Sequence, residues 1–202
     1  MHPAAAFRVT DRAALLAELR ARPFATIAIA AGGTPVLAHA PLVVRELADG
    51  LALDFHISRG NPMAAHLAAV PRAVAASLGP DAYVSPDWYE AADQVPTWNY
   101  VLVEAEGALA PLDEAQLIAL LDDLSAQEEA RLAPKPPWTR GKMSPGRVEV
   151  LVRGIVGARI LVERLEGVFK LSQNKPAAER TRVAEALAGH PLAARMGVDG
   201  RG

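Results

Sequence analysis

Apolar residues recur along this chain at two spacings, and the switches between them mark out its elements. Leu15, Leu16 and Leu19 fall at helical spacing behind Thr10 and Asp11, either of which can cap a helix, and Pro23 stops the run. Residues 24–30 are rich in β-branched side chains and read as a strand. Residues 36–44 read as its hairpin partner across a turn at Gly32-Gly33. Asp49-Gly50 is a second hairpin signal, and residues 51–57 after it make a third strand, so the chain opens as a helix followed by a three-strand meander. Asn61-Pro62 has the acceptor and the preset φ that start a helix, here a short one over residues 63–70 closed by Pro71.

Residues 72–78 read as a strand, residues 83–100 as an aromatic segment and residues 101–110 as another strand. A long helix is predicted over residues 113–132, with Gln116 three residues after its Asp113 cap. Four prolines make residues 133–146 a loop, and residues 148–153 fit either helix or strand. Residues 155–164 read as a buried strand and residues 176–187 as a helix. Five or more short strands, with helices at the ends and in one insertion, predict an α+β chain built on a small antiparallel barrel, not a parallel βαβ sheet. The 202 residues fit a single domain, with residues 176–202 as a C-terminal helical appendage.

The longest uncharged stretch, residues 23–44, is long enough to span a bilayer, but Gly32-Gly33-Thr34-Pro35 breaks it at its middle. Two strands around a turn fit better, and no membrane partner is expected. Met1-His2-Pro3-Ala4 lacks a basic region followed by an apolar run, which makes the cytoplasm the expected compartment. Ala supplies 41 residues, so larger side chains make up only about 31% of the chain as apolar filling. Such a chain gains from burying further surface against a partner. There is no Cys, which excludes a disulfide framework, a thiolate nucleophile and thiolate metal sites.

Charge is uneven. Residues 1–130 carry 7 basic and 17 acidic side chains, whereas residues 131–182 carry 12 basic and 4 acidic. The basic block either docks an anion or neutralises the acidic part, within the chain or across a dimer, and the second is the expectation.

Three constellations carry candidate chemistry. His56-Ile57-Ser58-Arg59-Gly60-Asn61-Pro62 sets a guanidinium and a hydroxyl at a strand end, before a helix start. Those are the parts a phosphate needs, and equally those of a surface turn with a solvated Arg. Tyr83-Val84-Ser85-Pro86-Asp87-Trp88-Tyr89 and Val95-Pro96-Thr97-Trp98-Asn99-Tyr100 hold five of the chain's ten aromatics. They suit a planar heterocycle or an obligate interface, with core packing as the plain alternative. Phe169-Lys170-Leu171-Ser172-Gln173-Asn174-Lys175-Pro176 is a polar, unperiodic loop, either contacting something specific or connecting in solvent. The five histidines are scattered, and no nucleophile elbow, dinucleotide fingerprint or phosphate loop is present, so neither catalytic nor metal-ligating residues are assigned.

Taken in order, these constellations resemble the PaiB family of FMN-binding proteins, often named negative transcriptional regulators. The resemblance includes His2-Pro3 with Phe7 and His39-Ala40-Pro41, and spans residues 2–176. Two departures are that the family more usually has Tyr near position 2 and Ala where Ser58 stands. The resemblance implies an FMN-binding split barrel, related in fold to pyridoxamine phosphate oxidases and working as a homodimer with FMN at the subunit interface. It implies Arg59, Ser58 and Asn61 at the phosphate, with His56 and His39 on neighbouring strands. It places Thr97, Trp98 and Asn99 along the ring, and Lys170, Gln173 and Asn174 reaching it from the other subunit. The implied function is a flavoprotein that regulates transcription negatively through flavin binding; the alternative is an FMN-dependent oxidoreductase acting on an unknown small molecule. DNA stays open as a partner, but residues 176–197, with the Gly189-His190-Pro191 turn, read as a helix pair capping the barrel and not as a DNA reader.

Overall fold

The computed structural model describes residues 4–48 and 50–197; His2, Pro3 and Asp49 lie outside them. In chain order the elements are β1 (Arg8–Val9), α1 (Arg12–Ala21), β2 (Phe24–Ala31), β3 (Thr34–Pro41), β4 (Val43–Leu47), β5 (Gly50–Ser58), β6 (Arg72–Val84), β7 (Thr97–Pro111), α2 (Glu114–Ala130), α3 (Arg147–Val152), β8 (Ile155–Lys170), α4 (Ala177–Ala186) and α5 (Pro191–Arg195). The strands pair in the order β3-β2-β6-β7-β8-β5-β4, with β1 added on β8, and the β1–β8, β2–β3, β2–β6, β4–β5 and β5–β8 pairs are antiparallel. The α+β antiparallel class is therefore what the sequence pattern predicts.

Local chemistry accounts for the element starts. Asp11 Oδ1 accepts from Ala13 N at 2.9 Å at the head of α1. Asp113 and Gln116 form a reciprocal capping box at α2: Gln116 N donates to Asp113 Oδ1 at 2.8 Å and Asp113 N to Gln116 Oε1 at 3.0 Å. Gly32 and Gly33 both take positive φ, 58° and 79°, and close the β2–β3 hairpin.

Several boundaries differ from the sequence reading. Residues 36–44 are not one strand. Pro41 has no N–H to extend the ladder, and Leu42 turns inward at 1% exposure with its N–H bonded to the Pro23 carbonyl at 2.9 Å. The chain leaves β2 there and starts β4, which pairs with β5, so the opening meander is two separate hairpins. The short helix after Asn61 is a single 3-10 turn, Pro62–Ala65. Residues 148–153, open between helix and strand, fall largely in α3. Strands β6, β7 and β8 all outrun their predicted ends; the extension of β8 pairs Val168 and Gly167 with Arg8 and Val9 of β1, and inside the predicted spans Arg72 joins Glu106 and Glu163, and Arg164 joins Glu106, across strands.

By contacts the chain divides into two compact units. One comprises Met1–Glu18, Leu78–Val103 and Glu166–Gly202; the other comprises Leu19–Ser77 and Glu104–Leu165. In the first unit, Val84 and Tyr89 pack with Val183, Ala184, Leu187, Leu192 and Met196 of the α4–α5 pair. Arg195 adds an ion pair to the nearly buried Glu18 and lies over the Phe169 ring at 5.6 Å.

In the second unit, α2 lays Leu117 and Leu120 against Val43 and Val152. A buried carboxylate fixes this layer. Asp54, 1% exposed, accepts from Arg159 Nε at 2.6 Å, from Arg159 Nη2 at 2.8 Å and from Arg45 Nε at 3.0 Å, and Arg45 also reaches Asp123 on α2. A carboxylate this deep is tolerated only because its acceptor positions are filled by cations.

Part of the basic block finds its acids inside the chain: Arg131 pairs with Glu128, Lys135 with Glu129, Arg140 with Asp122, Arg159 with Asp54 and Arg164 with Glu106. Among the described residues no helix is long and apolar enough to cross a membrane.

Candidate functional site

In the second unit the candidate residues gather where β5 ends. Ser58 lies opposite Ile155, the first residue of β8, and Arg59 N donates to the Gly154 carbonyl at 2.8 Å, so the chain is pinned as it leaves the sheet. The Arg59 guanidinium is oriented by two more carbonyls: Nε donates to Arg153 O at 3.0 Å and Nη2 to Ile155 O at 3.1 Å. Its Nη1 has no partner among the described residues. Asn61 Oδ1 caps the 3-10 turn by accepting from Met63 N at 2.9 Å, which leaves its Nδ2 unengaged. Ser58 Oγ accepts from Gly60 N at 3.2 Å and keeps its own proton to give. Three donor groups within four residues thus face no acceptor of their own chain.

Arg59 also stands in the wall of a cavity of about 560 Å3, whose charged lining is Arg59 and Arg153 beside Glu114 and Glu149, with Leu67, Leu112, Leu117 and Val152 as apolar lining. Sequence reasoning missed Arg153, whose only signal was its membership of the basic block.

The two histidines differ. His39 on β3 is exposed, and its Nδ1 meets Thr26 Oγ1 on β2 at 3.1 Å. His56 on β5 is half-buried, its Nδ1 is enclosed without a hydrogen-bond partner, and burial holds its titration below the ordinary imidazole range.

In the first unit the aromatic and polar motifs meet. Thr97 and Asn99 lie on one face of β7, and strand alternation turns Trp98 to the other. Trp98 is 51% exposed, donates from Nε1 to Asp81 at 2.9 Å and stands edge-on to Tyr83 with ring centroids 6.2 Å apart. Asn99 is fully buried; its Nδ2 donates to Ser172 Oγ at 2.9 Å and its Oδ1 has no partner.

Lys170, the last residue of β8, donates to Thr97 Oγ1 and lies 5.9 Å from the centre of the Phe7 ring. Burial lowers the titration of its ammonium from the ordinary lysine value. Gln173 turns back on its own loop, accepting from Leu171 N at 2.7 Å and donating to the carbonyls of Phe169 and Ala6. Asn174 is exposed. Among the described residues no group of His, Asp or Glu is arranged to hold a metal ion.

Against known proteins, the model of the family described as "Putative FMN-binding domain" matches residues 1–164. A curated relative, "Protease synthase and sporulation protein PAI 2" of Bacillus subtilis, is 30% identical over 90% of this chain and 86% of its own length. Among solved structures, a conserved hypothetical protein of Mycobacterium tuberculosis matches with a TM-score of 0.61 at 17% identity, over 87% of this chain and 94% of that one. The FAD and heme binding protein of Mycobacterium smegmatis matches with a TM-score of 0.59 at 19% identity, over 90% and 80% of the two chains. At these identities the structures speak for the fold alone.

Proposed function

The chain belongs to the PaiB-type family of FMN-binding domains, and on that premise we propose that it works as a homodimeric flavoprotein with FMN at the seam between two copies. The observation that carries this reading is the donor set at the end of β5. Ser58 Oγ, Arg59 Nη1 and Asn61 Nδ2 stand close in sequence without acceptors, and a phosphate monoester offers the oxygens they lack. The residues therefore fit the group.

Arg59, oriented by the carbonyls of Arg153 and Ile155, takes the phosphate charge, and Ser58 and Asn61 add neutral donors. His56, with its enclosed Nδ1 unmatched, and His39 flank them from β5 and β3. Thr97 and Lys170, joined within one chain, enter the ring surroundings together, with Asn99 buried behind Thr97, Trp98 on the opposite face of β7, Gln173 held in its own loop, and the exposed Asn174 available for the second copy to contribute. FMN itself supplies hydride and single-electron chemistry. Lys170 holds a positive charge at Nζ, partly withdrawn from water, which favours an anionic neighbour.

Negative regulation of transcription then follows from flavin occupancy and not from a helix in a DNA groove. The segment a DNA reader would need, α5, is five residues long, with Leu192 buried and Arg195 engaged by Glu18. The alternative, an FMN-dependent oxidoreductase, is favoured by that same Lys170, since a cation near the ring raises the flavin potential.

The test is the visible absorption spectrum of the purified protein before and after FMN is added, with its mass by light scattering. A flavin band and a mass of two chains are expected; a colourless monomer would remove the proposal. Oxidation of NADH or NADPH by the loaded protein separates the oxidoreductase from the regulator.

A further inference from the structure

Two aromatic motifs that neighbour each other in sequence meet a distant polar loop at one buried hydroxyl. Ser172 is 3% exposed, and its Oγ lies 2.9 Å from Asn99 Nδ2 and 3.0 Å from the Tyr89 hydroxyl. Tyr89 ends the first aromatic motif, Asn99 sits in the second, and Ser172 is the centre of the polar loop. Ser172 also holds a backbone φ of 59°, in the left-handed region that a residue with a Cβ adopts only when its surroundings demand it.

The loop around it is bound on every side. Lys170 reaches Thr97, Gln173 folds onto the carbonyls of Phe169 and Ala6, and Lys175 donates to Gln94 while lying 5.1 Å from the centre of the Tyr89 ring. The turn that follows β8 is thereby held in one conformation, and the end of β8 with it. An ammonium on a flexible four-carbon stem has much rotamer freedom to lose, so it is held in one place more readily when its backbone is fixed.

We propose that Ser172 is a positioning residue, whose hydroxyl, clamped between Tyr89 and Asn99, fixes the turn that presents the Lys170 ammonium at Thr97. The role of that ammonium toward FMN rests on the function proposed above; the clamp itself does not.

Two variants separate the hydroxyl from the backbone. Ser172→Gly tolerates the left-handed φ and lacks the hydroxyl; Tyr89→Phe keeps Ser172 and removes one side of the clamp. The chain has four lysines, Lys135, Lys142, Lys170 and Lys175, so the titration of each ε-methylene in carbon-13-lysine-labelled protein is readable by NMR without flavin, with Lys170→Arg assigning the signal. In the unmodified protein the Lys170 midpoint lies below the ordinary lysine value. In both variants it rises toward that value, and FMN binding weakens by about tenfold.

If the variants fold with the parent melting temperature and the Lys170 midpoint stays where it was, the clamp has no positioning role and the proposal falls. If Ser172→Gly does not fold, Tyr89→Phe decides the question by the same titration. If the unmodified protein binds no FMN, the flavin reading fails alone, and the Lys170 midpoints still decide the role of Ser172.

Discussion

The Nη2 of Arg59 and the carbonyl oxygen of Ile155 stand 3.1 Å apart, so the guanidinium at the end of β5 is aimed by the first residue of β8. The planar fork serves two tasks at once, since Nε and Nη2 meet backbone carbonyls while Nη1 stays available. An ammonium has no such geometry.

Arg59→Ala is therefore expected to weaken FMN binding by roughly one to two decades, the worth of one charge-assisted hydrogen bond of about 1.5–3 kcal/mol. Arg59→Lys keeps the charge and recovers less than half of that loss. Fluorescence titration with FMN gives both values; a Lys variant equal to the parent would show that charge alone is enough.

The carboxylate of Asp54 is the deepest charge in its unit and answers two guanidiniums. Asp54→Asn leaves Arg159 half-buried without its counter-charge and Arg45 with Asp123 alone, and should cost about 3 kcal/mol of folding free energy. Urea unfolding measures it, and a loss under about 1 kcal/mol would mean the cluster is hydrated in solution.

Because burial holds His56 below its ordinary value of about 6.5, the unfolded chain takes up a proton near that pH which the folded chain refuses. Stability is unaffected by this group above pH 6.5 and falls as the pH drops from there. In His56→Gln this part of the decline is absent, so the melting temperature drops less between pH 6.5 and pH 5 than in the parent. Parallel curves for the two proteins would contradict the assignment.

Two glycines give opposite expectations. A Cβ on Gly107 would lie 1.7 Å from the Leu161 carbonyl oxygen, so Gly107→Ala forces the backbones apart and should cost at least about 3 kcal/mol. At Gly60 the nearest atom to an added Cβ is Ser58 Oγ at 3.7 Å, an ordinary contact. Gly60→Ala should fold as the parent does and bind FMN within about threefold of it. Melting curves and FMN titration of the pair check both.

What was legible in the sequence is what neighbours in sequence decide. The Asp113–Gln116 box, the Gly32-Gly33 turn and the Asn61 cap are local exchanges between a side chain and backbone a few residues away, and the fold keeps all three. The donor cluster of Ser58, Arg59 and Asn61 was legible for the same reason. The ends of β6 and β8 were not, because Gly79-Pro80-Asp81 and Glu166-Gly167 look like breaks along the chain until pairing with a distant segment, as of Val168 with Arg8 on β1, carries the strand through them.

The sequence by itself determined the element types, the α+β class and the family, since periodicity, capping and motif order are properties of the chain. The fold decided where each functional side chain points. Strand alternation turned Trp98 away from Thr97 and Asn99, the carbonyls of Arg153 at the end of α3 and Ile155 at the start of β8 aimed Arg59, and residues 73 and 83 positions away met Ser172 at a single oxygen. Such contacts follow from packing among distant segments, whose free energy depends on what lies nearby in space, and no local pattern of residues encodes it.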